Sequence, residues 1–179
     1  MIKCYNTPKY TILFKGVLFI RKIVISVLAL AALAFTACSG RTESTTVEEY
    51  RTAITAEEFT SIADSLGFSV QDVSAYMHGN IIISLTATNY YGEFQVGFTE
   101  FEEAGPAYTA FNHNSSEFDR RNPGQGNAYS GQNWASFEKT AGGTYCFMIH
   151  IEETFVYVQA PEEHAEAISD FVRNLGYSH

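Results

Sequence analysis

Three soft, metal-capable side chains alternate along one apolar stretch, Cys146-x-Met148-x-His150. Thiolate, thioether and imidazole together form a donor set for a soft transition metal. The stretch reads as a β-strand, and strand geometry decides the matter. Side chains two residues apart on a strand stand about 6.6 Å apart, and those four apart about 13 Å. One ion with ligands at roughly 2.0–2.3 Å cannot gather all three. The same separation keeps His150 from serving as the base for a Cys146 nucleophile. The sequence therefore assigns no metal, no cofactor and no catalytic residue here, and the three side chains read as one face of a sheet.

Other chemistry-bearing residues read as ordinary structure. His164 follows Glu162 and Glu163 in the first turn of a helix, which is a solvated helix start. Asn112-His113-Asn114 lacks the Gly and the closing Glu of a calcium loop. Gly124-Gln125-Gly126 neither follows a strand nor opens a helix, as a dinucleotide loop must. There is no Gly-x-Ser-x-Gly, His-Glu-x-x-His or Cys-x-x-Cys, and no spacing singles out a pair of carboxylates.

The elements that must hold these residues follow from periodicity. Thr55-Ala56-Glu57-Glu58 is a capping box for a helix over about 56–66, with Phe59, Ile62, Ala63 and Leu66 on one face and Gly67 as its stop. A short strand is expected near 70–74. A hairpin follows, 81–88 and 93–98, turning at Asn89-Tyr90-Tyr91-Gly92. Ala104, Tyr108, Phe111, Ser115 and Phe118 mark a helix over about 102–119, with Pro106 in its first turn. Residues 121–127 read as a loop. Strands are expected at 133–139, 144–151 and 154–160, turning at Gly142-Gly143 and Glu152-Glu153. Pro161 then opens a helix whose stripe is Ile168, Phe171, Val172 and Leu175.

Pairing Ile151 with Thr154 sets the register of the last hairpin. Tyr145, Phe147, Ile149, Val156 and Val158 then share a core face. Cys146, Met148, His150, Phe155 and Tyr157 share the opposite one, which Phe137 joins, with Trp134 facing the core, if the Gly142-Gly143 turn is a two-residue loop. Tight turns make neighbouring strands antiparallel. The expected fold is α+β: an antiparallel sheet of five to six strands, with two to three helices packed mainly on one face. The hairpin–helix units over 81–118 and 144–175 suggest an internal duplication.

The amino-terminal part carries a different message. Arg21-Lys22 precedes the apolar run 23–34, and Phe35-Thr36-Ala37-Cys38 closes it. This resembles the lipobox-type signal peptide of bacterial cell-envelope lipoproteins, with Phe35 where Leu is usual. The resemblance implies cleavage before Cys38, diacylglyceryl attachment to its sulfur, and a protein held at the cell membrane on its extracytoplasmic face. The domain expectation is a signal peptide over 1–37, a lipidated tether over 38–52 and one α+β domain over 53–179. Residues 1–16 read either as sequence ahead of the true start or as a long n-region. An uncleaved anchor helix is the alternative to processing, although a span needs about 20 apolar residues.

The chain has eleven Lys and Arg against twenty Asp and Glu, and five of the basic residues precede Cys38, so residues 38–179 carry a net charge of −14. That surface repels phosphates, which excludes electrostatic association with nucleic acid or with bare anionic membrane. With Cys38 committed to lipid, Cys146 has no disulfide partner. The functional expectation is a lipid-anchored extracytoplasmic binding or interaction module. Its candidate surface is the face of Phe137, Met148, His150, Phe155 and Tyr157, and its partner an envelope protein or a small molecule. The alternatives are an envelope hydrolase with an Asp, Glu or His site that follows no motif, and a structural accessory lipoprotein.

Overall fold

The computed structural model describes residues 42–47 and 49–177. All of them belong to the second of the chain's two units, Gly40–His179. The signal segment and Cys38 lie outside the described residues.

Eight strands form one mixed sheet: β1 (Glu43–Thr46), β2 (Ser69–Asp72), β3 (Ile81–Thr88), β4 (Gln95–Phe101), β5 (Asn127–Ser130), β6 (Trp134–Ala141), β7 (Thr144–Ile151) and β8 (Thr154–Pro161). Their order across the sheet is β1-β5-β6-β7-β8-β4-β3-β2. The β1–β5 pair is parallel and every other neighbour pair is antiparallel. This corrects the expected antiparallel sheet of five to six strands. Both extra strands are short and polar. β1 lies inside the segment read as tether, and β5 follows the segment read as loop, so backbone pairing rather than a side-chain pattern builds them.

Among the described residues there are three α-helices: α1 (Ala56–Ser65), α2 (Ala104–Arg121) and α3 (Ala165–Asn174). α1 starts at the capping box foreseen from sequence. Thr55 Oγ1 accepts from Glu58 N at 3.2 Å, and Glu58 Oε2 accepts from Thr55 N at 2.8 Å. β8 runs through Pro161, and a 3-10 turn (Glu162–His164) separates it from α3, so that helix starts four residues later than Pro161 suggests.

The helices occupy both faces of the sheet, which corrects their expected placement mainly on one. α1 contributes Phe59 and Ala63, and α3 contributes Ile168, Phe171 and Val172, to a core over Val96, Phe98, Phe147, Ile149, Val156 and Val158. Phe59 stacks on Phe98 at 5.1 Å between ring centroids and meets Phe171 edge-on at 5.9 Å. Among the described helices, α2 alone covers the other face, with Phe111 and Phe118 over Phe137, Cys146, Met148 and Phe155. Its buried stripe starts at Ala107, while Ala104 and Tyr108 stay exposed.

The suggested duplication fails on the same observation. β2-β3-β4 and β6-β7-β8 are matching three-strand meanders joined through the β4–β8 pair. The helices that follow them, α2 and α3, lie on opposite faces. A two-fold axis relating the meanders across antiparallel β4 and β8 stands normal to the sheet and would keep both helices on one face.

Strand direction fixes the two ends of the sheet. The start of β1, the Tyr90-Tyr91 turn and the Gly142-Gly143 turn share one end. The 131–133 turn, the Glu152-Glu153 turn and the start of α2 share the other.

Candidate binding site at one end of the sheet

Four of the five sequence-nominated face residues are buried. Phe137, Met148 and Phe155 pack beneath α2 and are core. The open sheet face expected from sequence is therefore covered by α2. Tyr157 is half-buried in a separate depression with Thr86 and Gln95, where its hydroxyl donates to Gln159 Oε1 at 2.8 Å. Cys146 is fully enclosed, and burial pushes its thiol up to about 12. A thiol held there supplies no thiolate at neutral pH. Among the described residues, no group of three or more His, Cys, Asp or Glu is placed to hold a metal.

His150 is the one of the five that lines the cavity of about 510 Å³ at the sheet end where α2 begins. Ala104, Gly105 and Tyr108 of α2 form one wall. Gly131, Gln132, Asn133 and Trp134 of the β5–β6 turn form another, and Glu152 closes the β7 side. The walls are mainly apolar, with a few convergent polar groups, as small-molecule sites usually are.

The segment ahead of α1 straps the turn in place. Asn133 Oδ1 accepts from Arg51 N at 3.0 Å, and its Nδ2 donates to Arg51 O at 2.7 Å. Trp134 Nε1 donates to Glu49 O at 3.1 Å, and the Arg51 guanidinium lies 4.0 Å above the Trp134 ring. Tyr50 donates its hydroxyl to Glu152, and that bond raises the Tyr50 hydroxyl above its ordinary value.

His150 is only 8% exposed, wedged between Tyr108 and Phe111 with ring centroids 5.4 and 5.3 Å away. Its Nδ1 is buried and has no hydrogen-bond partner among the described residues. Burial pushes its pKa below the ordinary histidine value, so the ring is neutral at pH 7. A neutral imidazole offers one donor and one acceptor.

The start of α2 faces the same cavity. Glu103 occupies the N-cap position with extended backbone, and its side chain caps nothing. Helix geometry leaves the first N–H groups without intrahelical acceptors. Pro106 removes one of them, and the Ala104 and Gly105 N–H groups have no other acceptor among the described residues.

Sequence reasoning reached His150 and missed the rest of the lining. The usable signal was a helix start with no Ser, Thr, Asp or Asn at its cap.

No protein-family model matches the chain. No curated protein matches it either. Among solved structures, the chain is similar to a GTP binding regulator from Thermotoga maritima at 12% identity and a TM-score of 0.44, covering 68% of this chain and 84% of that one.

Proposed function

We propose that the protein is a lipid-anchored extracytoplasmic binding module whose ligand occupies the His150 cavity. One observation carries the site: His150, Glu152 and the uncapped start of α2 converge on an accessible, mainly apolar cavity of about 510 Å³. Apolar walls with a few convergent polar groups are the usual make-up of a small-molecule site.

The anchoring half of the proposal rests on Phe35-Thr36-Ala37-Cys38 and its resemblance to a lipobox. The chain enters β1 at Glu43, at the end of the sheet opposite the cavity-lining turns. A hydrolase reading is less well supported, because among the described residues no carboxylate is bonded to His150 to orient it, and Glu152 is engaged by Tyr50.

Two measurements test the proposal. Nitrogen NMR of the His150 ring and the fluorescence of Trp134, which lines the same cavity, should both shift when the protein is titrated with the small-molecule fraction of an envelope extract, and His150→Phe should weaken the fluorescence response. Mass spectrometry of membrane-extracted protein should find a diacylated Cys38 peptide. No shift with any fraction overturns the site, and an intact peptide spanning residues 34–41 as the dominant species overturns the anchor.

A further inference from the structure

On the reading that Cys38 carries the lipid anchor, we infer that the carboxy-terminal end of α2 is the surface the domain turns toward the bilayer, with Arg120 and Arg121 set against the phosphates of its lipid headgroups. The reach of the chain comes first. Four peptide steps separate Cys38 from Thr42, and fully extended they span at most about 14 Å. Thr42 is fastened to α2, because its Oγ1 donates to Asp119 Oδ1 at 2.7 Å. Arg120 and Arg121 follow Asp119 in the last turn of the helix. A lipid on Cys38 therefore holds this end of α2 close to the membrane surface.

Charge then selects a face. Residues 42–177 contain five Lys and Arg, and three of them, Arg120, Arg121 and Lys139, stand at this corner. Lys139 is enclosed and paired with Asp119. Arg120 and Arg121 are 67% and 69% exposed, and both pair with Glu117, at 2.9 Å. Among the described residues, one carboxylate then balances two guanidinia, and a positive charge is left over. A guanidinium fork matches the oxygens of a phosphate. The other face at this end of the sheet is acidic. Thr42 stands on the α2 side, so Glu43, next along the strand, points to the other. There the register aligns it with Glu138 and with Phe147 of the α1–α3 core. Glu162 and Glu163 are exposed just beyond β8, where Glu162 N donates to Gly143 O at 2.9 Å. Arg173 of α3 is paired with Asp170. The −14 charge of residues 38–179 repels phosphate as a whole. The lipid thus brings the domain to the bilayer, and the unlike charge of the two faces decides how it stands there.

The test uses the membrane-extracted protein, acylated and reconstituted into nanodiscs of phosphatidylcholine and phosphatidylglycerol with a trace of gadolinium-chelate lipid. One net charge near an anionic surface biases orientation by about fivefold. The gadolinium should therefore broaden the amide signals of Arg120 and Arg121 more than those of Glu162 and Glu163. The double variant Arg120→Gln, Arg121→Gln, with its core amide shifts unchanged, should lose that difference. So should the parent in about 1 M salt, where the Debye length is about 3 Å. Equal broadening of the two pairs in the parent overturns the inference. A difference that survives the double substitution or the salt overturns it as well, and leaves the two arginines to the helix dipole alone. Mass spectrometry of the same sample separates this failure from that of the anchor. Unmodified Cys38 removes the anchor and the inference together, whereas acylated Cys38 with equal broadening removes only the inference.

Discussion

Lys139 and Asp119 form an ion pair at 2.6 Å in which the lysine side chain is 1% exposed and the aspartate side chain 46% exposed. The lysine rises from β6 beneath α2, and the aspartate reaches down from the last turns of that helix. Thr42 Oγ1 donates to the same carboxylate oxygen at 2.7 Å, so Asp119 ties the entry of β1 to α2 and β6. Removing one partner of an enclosed charge costs more than replacing the charge by an apolar side chain of similar volume. Asp119→Ala is therefore expected to destabilise by about 1–3 kcal/mol, discounted for the exposure of its carboxylate. Lys139→Met is expected to stay within about 1 kcal/mol of the parent. Urea denaturation of both variants checks this, and a larger loss for Lys139→Met refutes it. Partial burial alone would raise the Asp119 pKa, but the hydrogen bonds from Lys139 and Thr42 and the lysine charge outweigh it and hold the carboxyl below its ordinary value. The stabilisation from this group is present above the unfolded aspartate value near 3.8 and is lost as pH falls below it.

Both faces of the sheet are core, and paired truncations should show it. Phe147 packs toward α1 and α3, and Phe155 packs beneath α2. Phe147→Ala and Phe155→Ala are each expected to cost about 3–5 kcal/mol. Thermal melts give the comparison. If Phe155→Ala left the midpoint unchanged, the α2 face would be a loosely covered surface rather than a second core.

The hairpins of the last third were legible because residues 144–160 alternate and turn at two-residue loops; the register predicted from Ile151 and Thr154 is the one found. The position of α2 was not legible. Amphipathic spacing says that a helix buries one side, not which face of a sheet it meets. The signal was present in β7, where Cys146 and Met148 make the strand apolar on both sides, as in strands buried on both faces. β1 carries only Glu43-Ser44-Thr45-Thr46, all exposed, and is held by parallel backbone pairing to β5. Side-chain periodicity has nothing to report there. At the site, His150 was found through strand alternation, whereas the Gly131, Asn133 and Glu152 walls depend on a turn and a strap that meet only in three dimensions.

His150 gives the fold a defined acid response. Its native pKa lies below the ordinary value because burial disfavours the charged ring. The unfolded chain titrates near 6.5 and takes up the proton that the native ring resists. Stability from this group is thus complete above about pH 6.5 and declines as pH falls below it. The denaturation midpoint should drop between pH 7.5 and pH 5, and His150→Gln should flatten that part of the profile. An identical slope in the variant would assign the response to other groups.

Gly131 is required by space rather than by backbone conformation. It sits in the β5–β6 turn, where its N–H donates to Trp134 O at 2.9 Å. A Cβ added there would run into Trp134 Nε1 and come within 2.5 Å of the Glu49 carbonyl oxygen, the two atoms whose hydrogen bond fastens the strap to the turn. Neither can yield alone: Trp134 is enclosed, with the Arg51 guanidinium over its ring, and Glu49 is main chain. Gly131→Ala is therefore expected to break that bond and cost about 1–3 kcal/mol, the usual range for overpacking a closed site. Trp134 is the sole tryptophan, so its fluorescence reports the site directly. The variant should show red-shifted emission together with a lowered denaturation midpoint. Unchanged emission at an unchanged midpoint would mean that the turn accepts the methyl group, and that the strap does not fix the Trp134 wall of the cavity.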